Sequence, residues 1–232
     1  MIDLYYSATP NGLKLRMFFA EVDLPHRLVP VSLARGEQLA PEFLAISPNG
    51  KIPALVDHQP AGGGAPVAMF ESGAMLLYLA DKADALLPAS IRGRNIVLQW
   101  LFWQVGGLGP MAGQTGHFKK YAPQKVPYAI ERYQRETARL YGVLDRRLVD
   151  HEFIADEYSI ADIACYPWVV PHAGFGLTLA GFPNLARWFK AVAARPATVR
   201  AYRDVEDVYA ANARPLSDDE RARLFGKQSM PG

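Results

Sequence analysis

The chain has 232 residues, 50% of them hydrophobic and 21% charged, and a formal net charge of +2. That is the balance of an ordinary soluble globular protein of one or two domains, and the basic residues are interspersed with acidic ones, leaving no stripe that could track a phosphate backbone, so nucleic acid is not expected as a partner. A single cysteine, Cys165, excludes an internal disulfide and a CxxC redox pair; His26, His58, His117, His151 and His172 show no metal-ligand spacing; and no apolar run approaches the roughly 18 residues of a membrane span, so neither a metal nor a membrane is expected.

Met1-Ile2-Asp3-Leu4-Tyr5-Tyr6 has neither a basic n-region nor an apolar h-region, which makes a cytoplasmic protein the simplest expectation. Ile2 to Tyr6 alternates loosely, meets Thr9-Pro10-Asn11-Gly12, and gives way to Leu13, Leu15, Met17, Phe18, Phe19 and Val22 at helical spacing, which predicts strand, turn and helix. His26 to Leu33 reads as a second strand, and Glu42 to Ile46 as a short helix closed by Ser47-Pro48. Ala54 to Asp57 and Val67 to Phe70 read as strands around Gly62-Gly63-Gly64, a hairpin tip and not a phosphate loop because no Lys-Ser/Thr or helix comes directly after it. A helix opens at Ser72. The order βαβ, α, ββα is that of a thioredoxin-like domain over residues 1–83, with a linker from Ala83 to Ser90.

Residues 91–210 read as an all-α helical bundle. Ile96 to Gln104 is strongly apolar and aromatic until Gly106-Gly107-Leu108-Gly109-Pro110, which predicts a helix bent or broken at its glycines; Pro127 to Leu148 keeps Ile130, Tyr133, Thr137, Leu140, Tyr141, Leu144 and Leu148 on one face. Ser159-Ile160-Ala161-Asp162 has the spacing of a capping box and opens the buried-looking run Ile163 to Trp168, which contains Cys165 and makes it a core residue. Further helices are expected from Phe182-Pro183 to Ala194 and from Pro196 to near Tyr209, and a poorly ordered, charged tail over residues 213–232.

Two segments carry chemistry. An X-Pro bond adopts cis at modest cost, so Ile52-Pro53, at the end of Asn49-Gly50-Lys51-Ile52-Pro53, can set an edge of backbone beside an extended ligand, with residue 52 offering its own N–H and C=O. Glu71 and Ser72 open the apolar run Gly73 to Ala80, where unbonded N–H groups and the positive end of a helix dipole favour a carboxylate, while Glu71 supplies a counter-charge for an ammonium. A γ-glutamyl group carries both charges on one carbon. Either segment alone also reads as an ordinary strand–turn–helix in which Ser72 is merely an N-cap. Their order and separation favour a site for a small peptide.

A thioredoxin-like domain with an Asn-Gly-Lys-Ile-Pro loop and a Glu-Ser pair, then a helical domain with a Ser-Ile-Ala-Asp cap, resembles the glutathione transferase superfamily from residue 1 to about residue 205. Ser7-Ala8-Thr9-Pro10-Asn11-Gly12, joined to the stretch from Gln99 to Met111, is similar to the bacterial Nu class, a class associated with glutathione-dependent disulfide reduction. The resemblance implies bound glutathione as co-substrate, as one or two molecules or as the disulfide. It implies that Thr9 and Asn11 face the sulfur, that Ile52 and Pro53 hold the cysteinyl backbone, and that Glu71 and Ser72 hold the γ-glutamyl end. Gln38 and Lys51 would approach the glycine carboxylate, and Arg132 would complete the place of a second glutathione half. It further implies a homodimer and a small disulfide or electrophile as substrate.

Other readings of the same residues stay open. Better-known transferases place a Tyr, Ser or Cys near the end of the first strand, so Tyr5, Tyr6 and Ser7 rival Thr9 and Asn11, which in turn could be plain turn residues with Asn11 as N-cap. Arg132 and Glu136 form an i,i+4 pair that suits a solvated helix face, and Trp100, Phe102 and Trp103 suit a core or a dimer interface. The leading expectation is thiol–disulfide exchange with bound glutathione. Conjugation of glutathione to electrophiles, reduction of organic peroxides, and a non-catalytic glutathione-fold binding module are the competitors.

Overall fold

A computed structural model of the chain describes residues 1–203, 205 and 217–225. They form two compact units, one of Met1–Met75 with the described residues from Ala201 on, the other of Leu76–Arg200.

The first unit is built on a sheet of strand order β2-β1-β3-β4, comprising β1 (Ile2–Tyr6), β2 (His26–Pro30), β3 (Ala54–Asp57) and β4 (Val67–Phe70). β1 and β2 are parallel, joined by helix α1 (Pro10–Glu21); β1 and β3 are antiparallel, as are β3 and β4. The register pairs Tyr5 with Ala54 and Ala54 with Phe70. Because β1 and β4 therefore run the same way and β3 the opposite way, the exit of β1, the entry to β3 and the exit of β4 are neighbours at one end of the sheet. At the other end Asp3 accepts a bidentate bond from Arg27, its partner in the β1–β2 register, at 2.9 and 2.7 Å, and is met by His58 at 3.0 Å. The Arg27 hydrogen bond holds the Asp3 carboxyl below its ordinary pKa.

The sequence pattern predicts β2 as far as Leu33, but the strand ends at Pro30. Ser32 is drawn off the ladder because its N–H donates to the Glu37 carboxylate at 2.6 Å and its carbonyl accepts from Glu37 N–H at 3.2 Å. The short helix α2 (Pro41–Leu44) comes next. α1 starts with little space to spare: Thr9 N–H donates to Ser7 O at 2.7 Å, Thr9 Oγ1 accepts from Gly12 N–H at 3.2 Å, and a β-carbon at Gly12 would lie 2.1 Å from Ser7 O. Only glycine fits that approach.

The Leu76–Arg200 unit is helical, and α3 (Ser72–Ala83) runs into it from β4. Helix α4 (Ile91–Trp103) is capped by Ser90 Oγ, which accepts from Gly93 N–H at 3.2 Å. The glycines after it, where a bend or a break is expected from sequence, leave the chain helical. Gln104–Leu108 forms a π turn in which Gly109 N–H bonds Gln104 O, and α5 (Gly109–Gly116) continues with Pro110 in its first turn. The wider turn accommodates a proline that has no N–H and would crowd the carbonyl four residues earlier. A β-carbon at Gly109 would approach Gln104 Nε2 to 2.7 Å and Trp168 Cε2 to 3.5 Å, so close helix packing is a reason for glycine here.

Helix α6 (Pro127–Arg147) buries Thr137, Leu140, Tyr141 and Leu144, and Tyr141 donates to Trp168 O at 2.9 Å from α7 (Ile160–Val169). Helix α8 (Pro183–Ala193) has its first N–H groups accepted by Asp145, at 2.8 Å from Asn184 and 2.9 Å from Leu185. A short α9 (Pro196–Tyr202) comes after it. The centre of this unit is Asp162, fully buried, which accepts from the N–H of Ile154 at 3.0 Å, the N–H of Ser159 at 3.0 Å and Trp188 Nε1 at 2.7 Å. The capping box foreseen at Ser159 is thus also a tie between three segments. Burial pushes the Asp162 pKa up from 3.8 to about 6 despite these donors. Cys165 is buried in α7 and is not in a disulfide.

Within the segment expected to be a poorly ordered tail, Asp218–Phe225 is a helix, α10. Ser217 Oγ accepts from Glu220 N–H at 3.2 Å and Glu220 Oε2 accepts from Ser217 N–H at 2.8 Å, a capping box spelled Ser-x-x-Glu in the sequence. The rest of that tail, and the end of the helix expected to reach Tyr209, lie outside the described residues.

Asp162→Ala should lower stability by about 3–5 kcal/mol, because it leaves buried N–H groups without an acceptor, and a urea titration should show this as a lower midpoint at unchanged slope. Gly12→Ala should cost about 1–3 kcal/mol in the same assay, since backbone must move to admit the added carbon.

Candidate functional site

At the shared strand end a cleft of about 150 Å³ opens, lined by Asn11 from α1, Ser47, Asn49, Lys51, Ile52 and Pro53 from the loop before β3, and Phe70, Glu71 and Ser72 at the start of α3. The loop is shaped by turn chemistry. Gly50 N–H bonds Ser47 O at 2.8 Å with Gly50 in the left-handed region (φ 61°), and buried Ser47 donates from Oγ to Lys51 O at 2.9 Å. Lys51 is thereby held with its side chain exposed, and Ile52, half-buried against Val31, Phe43 and Ala54, enters the cis peptide bond to Pro53. Neither the N–H nor the C=O of Ile52 is bonded by another described backbone group. An edge of backbone is therefore on offer, as the sequence reading requires.

Glu71 has φ 72°, a conformation that costs a residue with a β-carbon about 1–2 kcal/mol. Its carbonyl accepts from Met75 N–H at 3.0 Å, which makes Glu71 the capping position and Ser72 the first helical residue. Ser72 is therefore not spent as an N-cap. It is 7% exposed, and its Oγ accepts from the ammonium of Lys14 at 3.1 Å. Glu71 is exposed and makes no ion pair among the described residues. The cleft thus presents a carboxylate beside a helix N-terminus backed by a buried lysine, a pattern suited to a group carrying both an ammonium and a carboxylate.

The rivals at the end of β1 differ in what their side chains already touch. Tyr5 packs edge-on against Phe43 with ring centres 6.1 Å apart; Tyr6 OH accepts from Arg16 at 3.3 Å; and Ser7 donates its only hydroxyl proton to Val31 O. Thr9, not Asn11, is the N-cap of α1, and since its Oγ1 accepts from Gly12, its proton is not used in that bond. Asn11 is in the lining and Thr9 stands two residues before it, outside the lining. Gln38 is buried, also outside the lining, with Nε2 3.5 Å from Arg223 O of α10 and Oε1 unbonded. Arg132 is exposed on α6 of the helical unit, and Glu136, one turn on, pairs with Arg139. Missed by sequence reasoning were Lys14, hidden in an apolar stretch, and Ser47, legible there only as the closing residue of a helix.

Models of the glutathione S-transferase N-terminal and C-terminal domains match residues 8–82 and 110–196. The disulfide-bond oxidoreductase YfcG of Escherichia coli (strain K12) is 55% identical over 202 residues, which cover 87% of this chain and 94% of that protein. A glutathione transferase family member from Pseudomonas fluorescens pf-5, solved with two glutathione bound, superposes with a TM-score of 0.81 at 42% identity, covering 86% of this chain and 91% of its own. A glutathione transferase from Pseudomonas putida, with one glutathione disulfide bound per subunit, gives a TM-score of 0.81 at 40% identity over 86% of this chain and 90% of its own. A four-stranded mixed sheet with a Glu-Ser helix start, a helical unit after it in the chain, and matches of this extent to both have one explanation: the chain belongs to the glutathione S-transferase family.

Proposed function

We propose that this protein is an enzyme that reduces low-molecular-weight disulfides with glutathione by thiol–disulfide exchange. The observation that carries the proposal is the meeting, in one cleft, of Asn11, the unused peptide edge of Ile52 and the Glu71–Ser72 pair. A tripeptide laid along it has its γ-glutamyl end on Glu71 and Ser72 and its cysteinyl backbone on Ile52 beside Pro53. Its sulfur lies toward Asn11 and Thr9, and its glycine carboxylate toward Lys51 and Gln38. The Escherichia coli relative named a disulfide-bond oxidoreductase, and the Pseudomonas putida structure holding glutathione disulfide, support the same chemistry.

Glutathione brings the thiol, and Cys165, buried in α7, is not needed. The bound thiolate attacks one sulfur of the substrate disulfide, that S–S bond breaks, and the other sulfur leaves as a thiolate and takes up a proton. A second glutathione thiolate then attacks the mixed disulfide. The balance is two glutathione and one disulfide in, glutathione disulfide and two thiols out. A thiol of pKa about 8.5 is about 3% ionised at pH 7, and lowering that by ~2 units with the Thr9 hydroxyl, Asn11 and the first N–H groups of α1 raises the thiolate roughly 25-fold. A Brønsted coefficient of about 0.5 then takes nearly tenfold back in reactivity, leaving a gain of only about two- to threefold. Alignment of the two sulfurs must supply the rest.

The second glutathione half, with Arg132 as its contact, rests on family resemblance, as do membership of the Nu class and a homodimer, while a cytoplasmic location is the expectation drawn above from the sequence. Exposed Phe102, 66% accessible on α4, suits an interface between copies. Among the described residues no helix is long and apolar enough to cross a membrane and no cluster of metal-ligating side chains is formed.

The test is glutathione-dependent reduction of a small mixed disulfide beside conjugation of an aryl halide. Fast reduction with feeble conjugation is expected, with Thr9→Ala and Asn11→Ala each lowering kcat/KM for the disulfide by about two- to tenfold, no more than about threefold of it through the acidity of the thiol and the rest through its alignment. Conjugation outpacing reduction would instead make the protein a conventional transferase, and binding of glutathione without turnover a non-catalytic module. Glu71→Gly should separate fold from function: relief of the left-handed backbone raises stability by about 1 kcal/mol in thermal unfolding, while loss of the carboxylate raises KM for glutathione at least about tenfold.

A further inference from the structure

We infer that Lys14 is a positioning residue for the γ-glutamyl end of the cleft: from the buried face of α1 its ammonium fixes the Ser72 hydroxyl as a donor aimed at a ligand carboxylate. This rests on the glutathione reading of the cleft and adds to it a residue that does not itself line the cleft. Lys14 is 1% exposed, between the fully buried Leu13 and Leu15, and its Nζ lies 3.1 Å from Ser72 Oγ. Lysine is among the residue types least often found in such a place unless paired.

The direction of that bond is decided by chemistry. An ammonium has three N–H donors and no lone pair, so Ser72 Oγ accepts and its single proton points away from Lys14. The capping role that could have claimed Ser72 belongs to Glu71, whose carbonyl takes Met75 N–H at 3.0 Å. What remains in front of the hydroxyl is the cleft, which Ser72 lines. A hydroxyl that accepts from a cation is also polarised into a better donor. A carbon bearing both an ammonium and a carboxylate is therefore sorted, its carboxylate to Ser72 and the first N–H groups of α3, its ammonium to Glu71.

The experiment is calorimetric titration of wild type, Lys14→Met, Lys14→Gln, Ser72→Ala and Lys14→Met/Ser72→Ala with three thiols. These are glutathione, γ-aminobutyrylcysteinylglycine, which lacks the α-carboxylate, and glutarylcysteinylglycine, which lacks the α-amine. Either Lys14 variant should weaken glutathione and the des-amino thiol by about 10- to 100-fold while leaving the des-carboxy thiol within about twofold, and the double variant should be no weaker than Ser72→Ala alone. In turnover the loss should fall on KM for glutathione, with kcat at saturation lowered less than about threefold. Equal weakening of all three thiols, additive losses in the double variant, unchanged affinity, or loss of the fold in both Lys14 variants would each overturn the assignment, the last two by making Lys14 irrelevant or a core residue. Failure of the wild type to bind glutathione would overturn the reading beneath it and is a separate outcome.

Discussion

The alignment of Tyr5 with Ala54 and of Ala54 with Phe70 is the constraint on which the cleft depends. Neighbouring strands lie about 4.8 Å apart, so the three chain ends that meet beyond these residues span about 10 Å. An extended tripeptide at about 3.3–3.6 Å per residue spans the same distance. The sheet therefore acts as a ruler. A slip of β3 by one residue would turn Ile52 toward the opposite face and carry the peptide edge with it. The Asp3–Arg27 pair and Asp3–His58 contact, at the far end of the same strands, tie the ladder where no ligand can.

Two helix N-termini converge on this strand end, and they are built differently because they do different work. α1 begins with Thr9 as an orthodox cap and Gly12 pressed against Ser7 O, an arrangement that fixes the position of Asn11 to within the tolerance of a backbone contact. α3 begins with Glu71 in the left-handed region, where almost any other choice of backbone would be less costly. The strain is local and is offset by the Met75 N–H bond and by the buried helix beyond it. Its consequence is that the carboxylate of Glu71 and the hydroxyl of Ser72 face the cleft from adjacent residues, one as a charge and the other as a donor.

Much of this is legible in the sequence, and the parts that are not share a cause. β1, β3, β4, α6, α7 and α8 begin and end within a residue or two of where period, proline and capping signals put them, because each signal there is local. The Ile52-Pro53 and Glu71-Ser72 segments are legible as chemistry for the same reason. Lys14 is not. α1 buries Leu13, Lys14, Leu15, Met17, Phe18 and Phe19, so it is apolar almost all round and a periodic pattern cannot say that a lysine on it points inward. That knowledge needs Ser72, 58 positions away. The role of Ser72 itself depends on whether residue 71 or 72 caps the helix, a choice set by one dihedral angle. Ser217 to Glu220 is the opposite failure, a readable capping box passed over because the surrounding charge and proline suggest a tail.

The energetics point to a division of labour along the cleft. If tuning the sulfur's acidity yields a net gain of only about two- to threefold, then the environment of the sulfur cannot be where most of the rate arises. Holding reactants in line is worth several kcal/mol, and it draws on binding energy made available elsewhere on the ligand. In this cleft the strongest available interactions, a charge on Glu71 and a charge-backed hydroxyl on Ser72, lie at the end of the peptide away from the sulfur. On the proposed placement of glutathione, the γ-glutamyl contacts are the clamp and Thr9 and Asn11 the guide. The clamp cannot reach the second sulfur, whose alignment must come from whatever holds the substrate disulfide. A disulfide that is itself made of glutathione brings polar ends for such a hold, whereas an apolar electrophile brings none, and this asymmetry is the physical ground for placing thiol–disulfide exchange ahead of conjugation.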